Sequence, residues 1–577
     1  MNTTKSLTMN NSQSADVSEL LELALSNLAY PHERRVHYVL LVEEALLKWR
    51  NELPADTELV YERKDTPTDV KITLTVAGKK SDPFSVTPDE AKGMTPEHMI
   101  DRLLSGVGSE LKYRYKHGIN RVEICLPKSD IEATVFRRNL YIVMIPIALQ
   151  TLLENVASNI DALMLGFLSA ADMSAVSLAA KFVSVFLFAI TAIATTLSML
   201  ASQFWGVRDR KSISQMASVS MKSSLIISIL FFIVTALFPE KVMSLYTDNA
   251  QFIAAGVKYL RILSPYFIIV PLFRIPYSVM RSTGRVKASV IYAVTGCAVN
   301  IVLNGILIFG LFGLPAMGIN GAAFSTVLSG LLQTVFVAAD SIFSKGFRAN
   351  YFKGLLISNP QTGPFLSAAF PTIVQHLSWI LAINVITATI GHMSTDIVAA
   401  NSALLIVGDM VASVRNGAGG AAGMLMANTL GKGKLDEARR KSRLLMQIGL
   451  RFGFICSAVL VIIAYCLRFL PMDLSAGAIK CMNVLIIAYA VNTLFAMLNA
   501  MINHGMSFPG GDSKGVLLMD AIALWGILIP LALIGPRLSF MPSLLLISIL
   551  KVDELISFPF KYSRSKKEIW LKSLVKK

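Results

Sequence analysis

Charge is scarce in this chain: only 16% of its 577 residues are Asp, Glu, Lys or Arg, against about 25% in an ordinary soluble domain. With 54% hydrophobic residues and a mean hydropathy of +0.56, the shortage excludes a protein that is soluble throughout. Cysteine is also sparse. Cys125, Cys297, Cys456, Cys466 and Cys481 form no CxxC pair and mostly sit in apolar runs, where a thiol behaves as a small hydrophobe, so no metal or redox motif is readable. Met1 to Asp16 is polar and lacks the apolar core of a secretory leader, so the first hydrophobic span is expected to act as an internal signal. No ten-residue alternating segments of the kind that build a membrane β-barrel recur. The small-residue run RNGAGGAAGMLMA from Arg415 lacks the lysine and hydroxyl of a phosphate loop and fits close helix packing instead.

Long apolar segments are confined to the region after residue 138. A bilayer crossing takes roughly 20 apolar residues, and twelve segments meet that length: 139–167, 173–204, 213–238, 251–280, 286–311, 318–343, 364–392, 396–428, 437–468, 475–503, 513–535 and 540–560, here spans 1 to 12. Basic residues crowd the loops after even spans: Arg208, Arg210 and Lys211; Arg281, Arg285 and Lys287; Lys345, Arg348 and Lys353; Lys432 to Arg443; and Lys514. After odd spans there are only Lys241, Arg468 and Arg537. Because Lys and Arg are retained on the cytoplasmic side, the even loops and both termini are expected there, in a cell inner (plasma) membrane. The formal charge of +16 then reflects topology, and no nucleic-acid partner is expected.

The membrane part repeats itself. Pro146, Gln150, Leu152, Gly166 and Gly206 recur at one constant offset as Pro371, Gln375, Leu377, Gly391 and Gly431. Six spans per half give both copies the same orientation. Parallel repeats of this kind place transport sites at the repeat interface and alternate access by rocking the halves. The expected fold class is mainly α: twelve transmembrane helices in two six-helix parallel repeats, plus a soluble α+β N-terminal domain. The expected divisions are 1–130, a first lobe 131–343, a linker 344–363, a second lobe 364–562 and a basic tail 563–577.

The segments IPIALQTLLENVASNIDALMLGFLSAADMSAVSLAAK, LASQFWGVRDR, YLRILSPYF, VMRSTGRVKAS and VNIVLNGILIFGLFGLPAMGINGAAFSTVLS resemble the first half of a multidrug and toxic compound extrusion (MATE) transporter. The resemblance covers about residues 135–560. It implies two six-helix lobes around a V-shaped cavity and export of organic cations and other amphiphiles in exchange for H⁺ or Na⁺, with no cofactor and no enzymatic activity.

Ionisable groups deep in hydrocarbon are costly and usually face the bundle interior. Asp161, in the outer part of span 1, has Ile386 as its repeat mate, so the fold does not demand an acid there. Asn300 and Asn304 share one face of span 5, and Thr326 lies on span 6. Similar positions in MATE proteins form a first-lobe cation site. Asp161, Asn300, Asn304 and Thr326 are therefore the candidate coupling set, with Na⁺ possible at the first three; Asn304 stands where relatives often carry an acid, which removes one negative charge from a Na⁺ site and leaves proton coupling through Asp161 viable. Substrate-cavity candidates are Gln150, Glu154, Lys181, Gln375, His376, Arg415, Asn492 and Asn499, with Lys181 also placed to neutralise Asp161 and Asp409 a potential partner of Arg415. Pro146 can kink span 1. Spans 7 and 10 carry no acid, so an acidic second-lobe sodium site is not expected, and Asp553 and Glu554 are expected near the cytoplasmic face, in solvent.

In the N-terminal domain, 16–28, 31–51 and 96–116 read as helices, TELVYERK and DVKITLTVAG as a hairpin, and NRVEICLP as a strand. LLVEEALLKW with YKHGINRVEICL resembles the ATPase domain of histidine kinases. Lys48 occupies the position of the Mg²⁺-binding Asn after Glu44 and the glycine motifs are missing, so a degenerate, regulatory or partner-binding domain is implied. Two other readings compete: a lipid-linked oligosaccharide flippase, which would need a strongly cationic cavity (Lys181, Arg274, Arg415), and a membrane-anchored sensor or kinase.

Overall fold

A computed structural model describes residues 3–8, 32–54, 57–65, 69–83, 111–343, 347, 349–352, 359–466, 475–538 and 541–575. The expected helix 16–28 and the linker residues Lys345, Arg348 and Lys353 lie outside them. The chain divides into two compact units, Met1–Asn139 and Leu140–Lys577.

The first unit is an antiparallel sheet with one described long helix, His32–Glu52. Strands β1 (Thr3–Thr8), β2 (Glu58–Asp65), β3 (Asp69–Ala77), β4 (Leu111–Lys116) and β5 (Ile119–Pro127) run in the order β1-β2-β3-β5-β4. Tyr38, Val42, Ala45, Leu46 and Trp49 form the helix's buried stripe, and Ile72, Leu74 and Val76 alternate inward on β3, as periods near 3.6 and 2 require. Residues 111–116, expected as the end of a helix, are instead strand β4. His117 and Gly118 both adopt positive φ, 51° and 74°, the geometry of a tight two-residue hairpin turn. That turn pairs Tyr113 with Val122 and Tyr115 with Asn120, and the local turn overrides the helical reading.

Among the described residues of the second unit, eleven helices are long and apolar enough to cross a membrane. Span 1 is helix Lys128–Gly166, which begins well before residue 139. Spans 2 to 10 are Ala170–Gly206, Arg210–Leu237, Ala250–Ser282, Val286–Phe309, Ile319–Phe343, Thr362–Gly391, Thr395–Gly431, Leu435–Cys466 and Ala476–Ile502. Helix starts are capped by side chains the sequence supplies at the loops. Ser169 accepts from the N–H of Asp172, Asp209 from that of Ser212, and Ser475 from that of Ala478, satisfying donors that a helix start leaves open. Span 12 is not one helix: Ser543–Leu550 and Asp553–Lys566 are separated by a break at Lys551 and Val552. Span 11 changes from α-helix to π-helix at Ala521–Leu528, and span 10 runs into a π-turn at Asn503–Ser507.

Spans 2 and 8, one from each half, pack together, and span 7 also lies on span 2. The duplicated glycines explain how. A Cβ on Gly206 would stand 2.6 Å from the carbonyl oxygen of Asn428, and one on Gly431 would collide with the carbonyl of Gln203. Nearer the middle of span 8, a Cβ on Gly417 would stand 2.6 Å from the backbone nitrogen of Ala148 on span 1. Only glycine permits these backbone approaches. The C-terminal tail is docked rather than free at this end. Gln203 donates to the carbonyl of Pro509 at 2.5 Å and accepts from the N–H of Leu574 at 2.9 Å, while Trp570 is buried.

Gly431→Ala is therefore expected to cost about 1–3 kcal/mol through overpacking and to lower the thermal unfolding midpoint of the purified protein. Gly391→Ala, at the repeat mate of Gly166 with open space around it, is expected to leave the midpoint unchanged.

Candidate functional site

Between the halves lies a polar cleft made of two adjoining cavities of about 300 Å³ each. Phe188, His376, Asn416 and His504 line both. The first cavity is built on one face of span 1, where Ile147, Gln150, Thr151 and Glu154 recur at helical spacing. Gln150 donates through Nε2 to Glu154 Oε1 at 2.9 Å. Arg274 on span 4 approaches Glu154 Oε2 at 3.8 Å and donates to Thr191 Oγ1 at 3.3 Å. Arg281, two turns further along span 4, also lines this cavity. The sequence places it among loop cations; the helix runs to Ser282 and turns it inward instead.

The second cavity is built around the irregular helices. The break in span 12 brings Asp553 and Glu554 to its wall, and Asp520 sits where the π-segment of span 11 begins. Such interruptions free a helix from its regular face pattern and recur at functional sites. Lys561, two turns beyond Glu554 on the same helix face, reaches Asp520 Oδ1 at 2.7 Å and Glu554 Oε2 at 3.6 Å. Lys561 and Asp520 are only 5% and 8% exposed, so their pairing is close to obligatory. Gln375 donates through Nε2 to Asp520 Oδ2 at 2.7 Å. Asn492 donates to Asp553 Oδ1 at 2.9 Å, and Asn499 to Glu554 Oε2 at 2.8 Å. Asp553 and Glu554 are thus bound into an interior network and not solvated at a membrane face.

Gln150 and Gln375, mates in the sequence repeat, play the same part. Each spends its amide N–H on a carboxylate and leaves a buried Oε1 without a partner.

The sequence-predicted residues divide accordingly. Gln150, Glu154, Gln375, His376, Arg415 and Asn499 all line the cleft, and Asn492 lines a third cavity beside it. Arg415 pairs with Glu554 at 3.7 Å, a partner the sequence reading did not offer it. Lys181 is exposed and outside these cavities. His376 has Nδ1 2.9 Å from the carbonyl of Thr372, the helix-bonded packing role. Pro146 lies inside a helix that continues through it.

Of the coupling set, Asn300 and Thr326 share a cavity of about 240 Å³ in the first lobe with Gln333 and Ser329, and Glu154 and Arg274 line both this cavity and the cleft. Asn304 donates to Asn300 Oδ1 at 3.4 Å, and Thr326 donates to the carbonyl of Ala322. Asp161 lies on helix Lys128–Gly166, but its side chain lies outside the described residues, as does that of Glu44 in the N-terminal unit.

Sequence reasoning missed Asp520, Lys561, Arg281 and the inward position of Asp553 and Glu554. One signal was available: Glu554 and Lys561 are seven residues apart, one helix face, so a charge pair is legible once the helix is known to start at Asp553.

Residues 146–306 match the MatE family model. The chain is 23% identical over 437 residues to the uncharacterized transporter YisQ of Bacillus subtilis, covering 74% of this chain and 93% of that one. It is 21% identical over 392 residues to the multidrug resistance protein PmpM of Pseudomonas aeruginosa, covering 67% and 81%. Among solved structures, a MATE in the bent conformation superposes with a TM-score of 0.67 at 15% identity, covering 76% of this chain and 97% of that one. A MOP superfamily transporter from Pyrococcus furiosus, described as having a binding pocket of reverse polarity, gives 0.65 at 16%, covering 75% and 96%. The second unit thus has the fold of a polytopic membrane transporter. More particularly, the sequence and structural similarities are to MATE transporters.

Lys561→Met would leave the buried Asp520 without its cation, while Glu554 keeps Arg415 at 3.7 Å. A loss of about 3–5 kcal/mol is expected, read as a lowered unfolding midpoint, and Asp520→Asn in the same chain should restore part of it. Equal, additive losses for the two changes would contradict the pairing.

Proposed function

We propose that this protein is a secondary active exporter that carries amphiphilic or cationic small molecules across the plasma membrane through the inter-lobe cleft. Supporting it above all is the cleft itself: both halves turn charged groups into one shared space, with Gln150 and Gln375 in equivalent roles. The cleft's cations are opposed by Glu154, Asp409, Asp520, Asp553 and Glu554, unlike the strongly cationic cavity a pyrophosphate-carrying flippase would need, and the related proteins do not favour that alternative.

Transport on this reading alternates about the glycine contacts. If the basic even loops are cytoplasmic, the Gly206–Gly431 end, where the backbones of spans 2 and 8 meet, is the cytoplasmic end. The energy comes from H⁺ or Na⁺ at Asp161 with Asn300, Asn304 and Thr326. A carboxylate in a low-dielectric site takes up a proton or a cation readily and releases it when the surroundings change. No cofactor is required, and the N-terminal domain serves a regulatory or partner-binding role.

In inside-out vesicles, an imposed pH or Na⁺ gradient is expected to drive accumulation of a fluorescent organic cation, and Asp161→Asn is expected to abolish gradient-driven exchange at normal expression. Full exchange in that variant would remove Asp161 from the coupling step.

A further inference from the structure

The cleft is electrically two-ended. In the first cavity the charged groups are Glu154, Arg274 and Arg281. Glu154 is already engaged by Arg274 and by Gln150. Arg281 makes no ion pair or side-chain hydrogen bond among the described residues, so a guanidinium with five donors faces the cavity uncommitted. An idle cation inside a membrane protein is expensive unless something occupies it.

The second cavity is the opposite. Asp409, Asp520, Asp553 and Glu554 meet Arg415 and Lys561, with Lys551 in the adjoining pocket. Lys561 is committed to Asp520 and Glu554, and Arg415 to Glu554. Lys551 lies over the ring of Tyr489 at 5.5 Å. No ion pair within 4 Å reaches Asp409 or Asp553 among the described residues. Three amide oxygens on this wall are also buried without a donor: Gln375 Oε1, Asn499 Oδ1 and Asn503 Oδ1. Asn499 and Asn503 are 1% and 9% exposed. Turning the amides of Gln375 and Asn499 over does not relieve this, because their N–H groups are held by Asp520 and Glu554. The wall therefore carries unpartnered acceptors and more carboxylates than cations, while the first cavity holds two guanidiniums against the single carboxylate of Glu154.

We propose that the cleft binds a zwitterionic amphiphile, with its anionic group on Arg281 and its N–H-bearing cationic group on the second-lobe wall at Asp409, Asn499 and Asn503. The apolar body of such a molecule would lie along Phe188, which lines both cavities. This refines the cargo of the export reading and rests on that reading only for the movement of the cargo, not for its binding.

Two xanthene dyes test it. Rhodamine 110 carries a free carboxylate beside a delocalised, N–H-bearing cation, and rhodamine 123 is its methyl ester. Binding to the purified full-length protein is read by fluorescence anisotropy. The free acid is expected to bind about tenfold more tightly than the ester, the scale of one charge-assisted hydrogen bond. Arg281→Gln should erase that preference by weakening the acid alone, Arg281→Lys should keep most of it, and Asp409→Asn should weaken both dyes. Equal or tighter binding of the ester, binding of neither dye, or an Arg281→Gln loss shared by both would overturn the proposal. Gradient-driven movement of the ester in inside-out vesicles separates the two claims. Movement without a preference for the acid sinks the zwitterion and leaves export standing; the preference without movement sinks export and leaves the site standing.

Discussion

A polar or charged group inside a membrane helix must find a partner inside the protein, because hydrocarbon offers none. That constraint organises the second unit. Lys561 cannot face lipid, so it turns toward Asp520 and Glu554. Glu554 in turn takes Arg415 and Asn499, and Asp520 takes Gln375. Spans 7, 8, 10, 11 and 12 are drawn to one network by the need to satisfy these groups. The same logic on the other side joins spans 1, 2 and 4 through Glu154, Gln150, Arg274 and Thr191. The cleft is what remains between the two networks.

Close packing supplies the complementary half of the architecture. In a bilayer, helices associate through van der Waals contact and hydrogen bonds more than through burial of apolar surface, so small residues mark where two halves touch. Gly206, Gly417 and Gly431 bring backbone against backbone. The charge networks, by contrast, each lie within one half. The docked tail, through Leu574 and Gln203, adds a hydrogen bond at the same end.

Much of this was legible in the sequence. Apolar length reads as twelve spans, of which eleven are long apolar helices among the described residues, and the repeat pairs Gly206 with Gly431 and Gln150 with Gln375. The failures share a cause. Hydropathy averages over about twenty residues and does not register a break of two, so span 12 read as continuous and Asp553 and Glu554 were placed in solvent. π-segments leave no compositional trace, so Asp520 was not connected to Gln375. Arg281 read as a loop cation because positive-inside counting assigns Lys and Arg to ends without asking which way the last helical turn points. In the first unit, strand β4 was read as helix because its alternation is short and the His117–Gly118 turn that fixes it involves a non-glycine residue at positive φ.

The account stands on the two halves moving against each other about the glycine contacts. Spin labels at Arg208 and Lys432, just past the ends of spans 2 and 8, report that movement directly by pulsed electron resonance in a chain whose five cysteines are replaced. The account predicts a short distance matching the closed contact and a second, longer population whose weight changes with pH, Na⁺ or bound dye. A single short distance, unchanged under every one of those conditions, would contradict it.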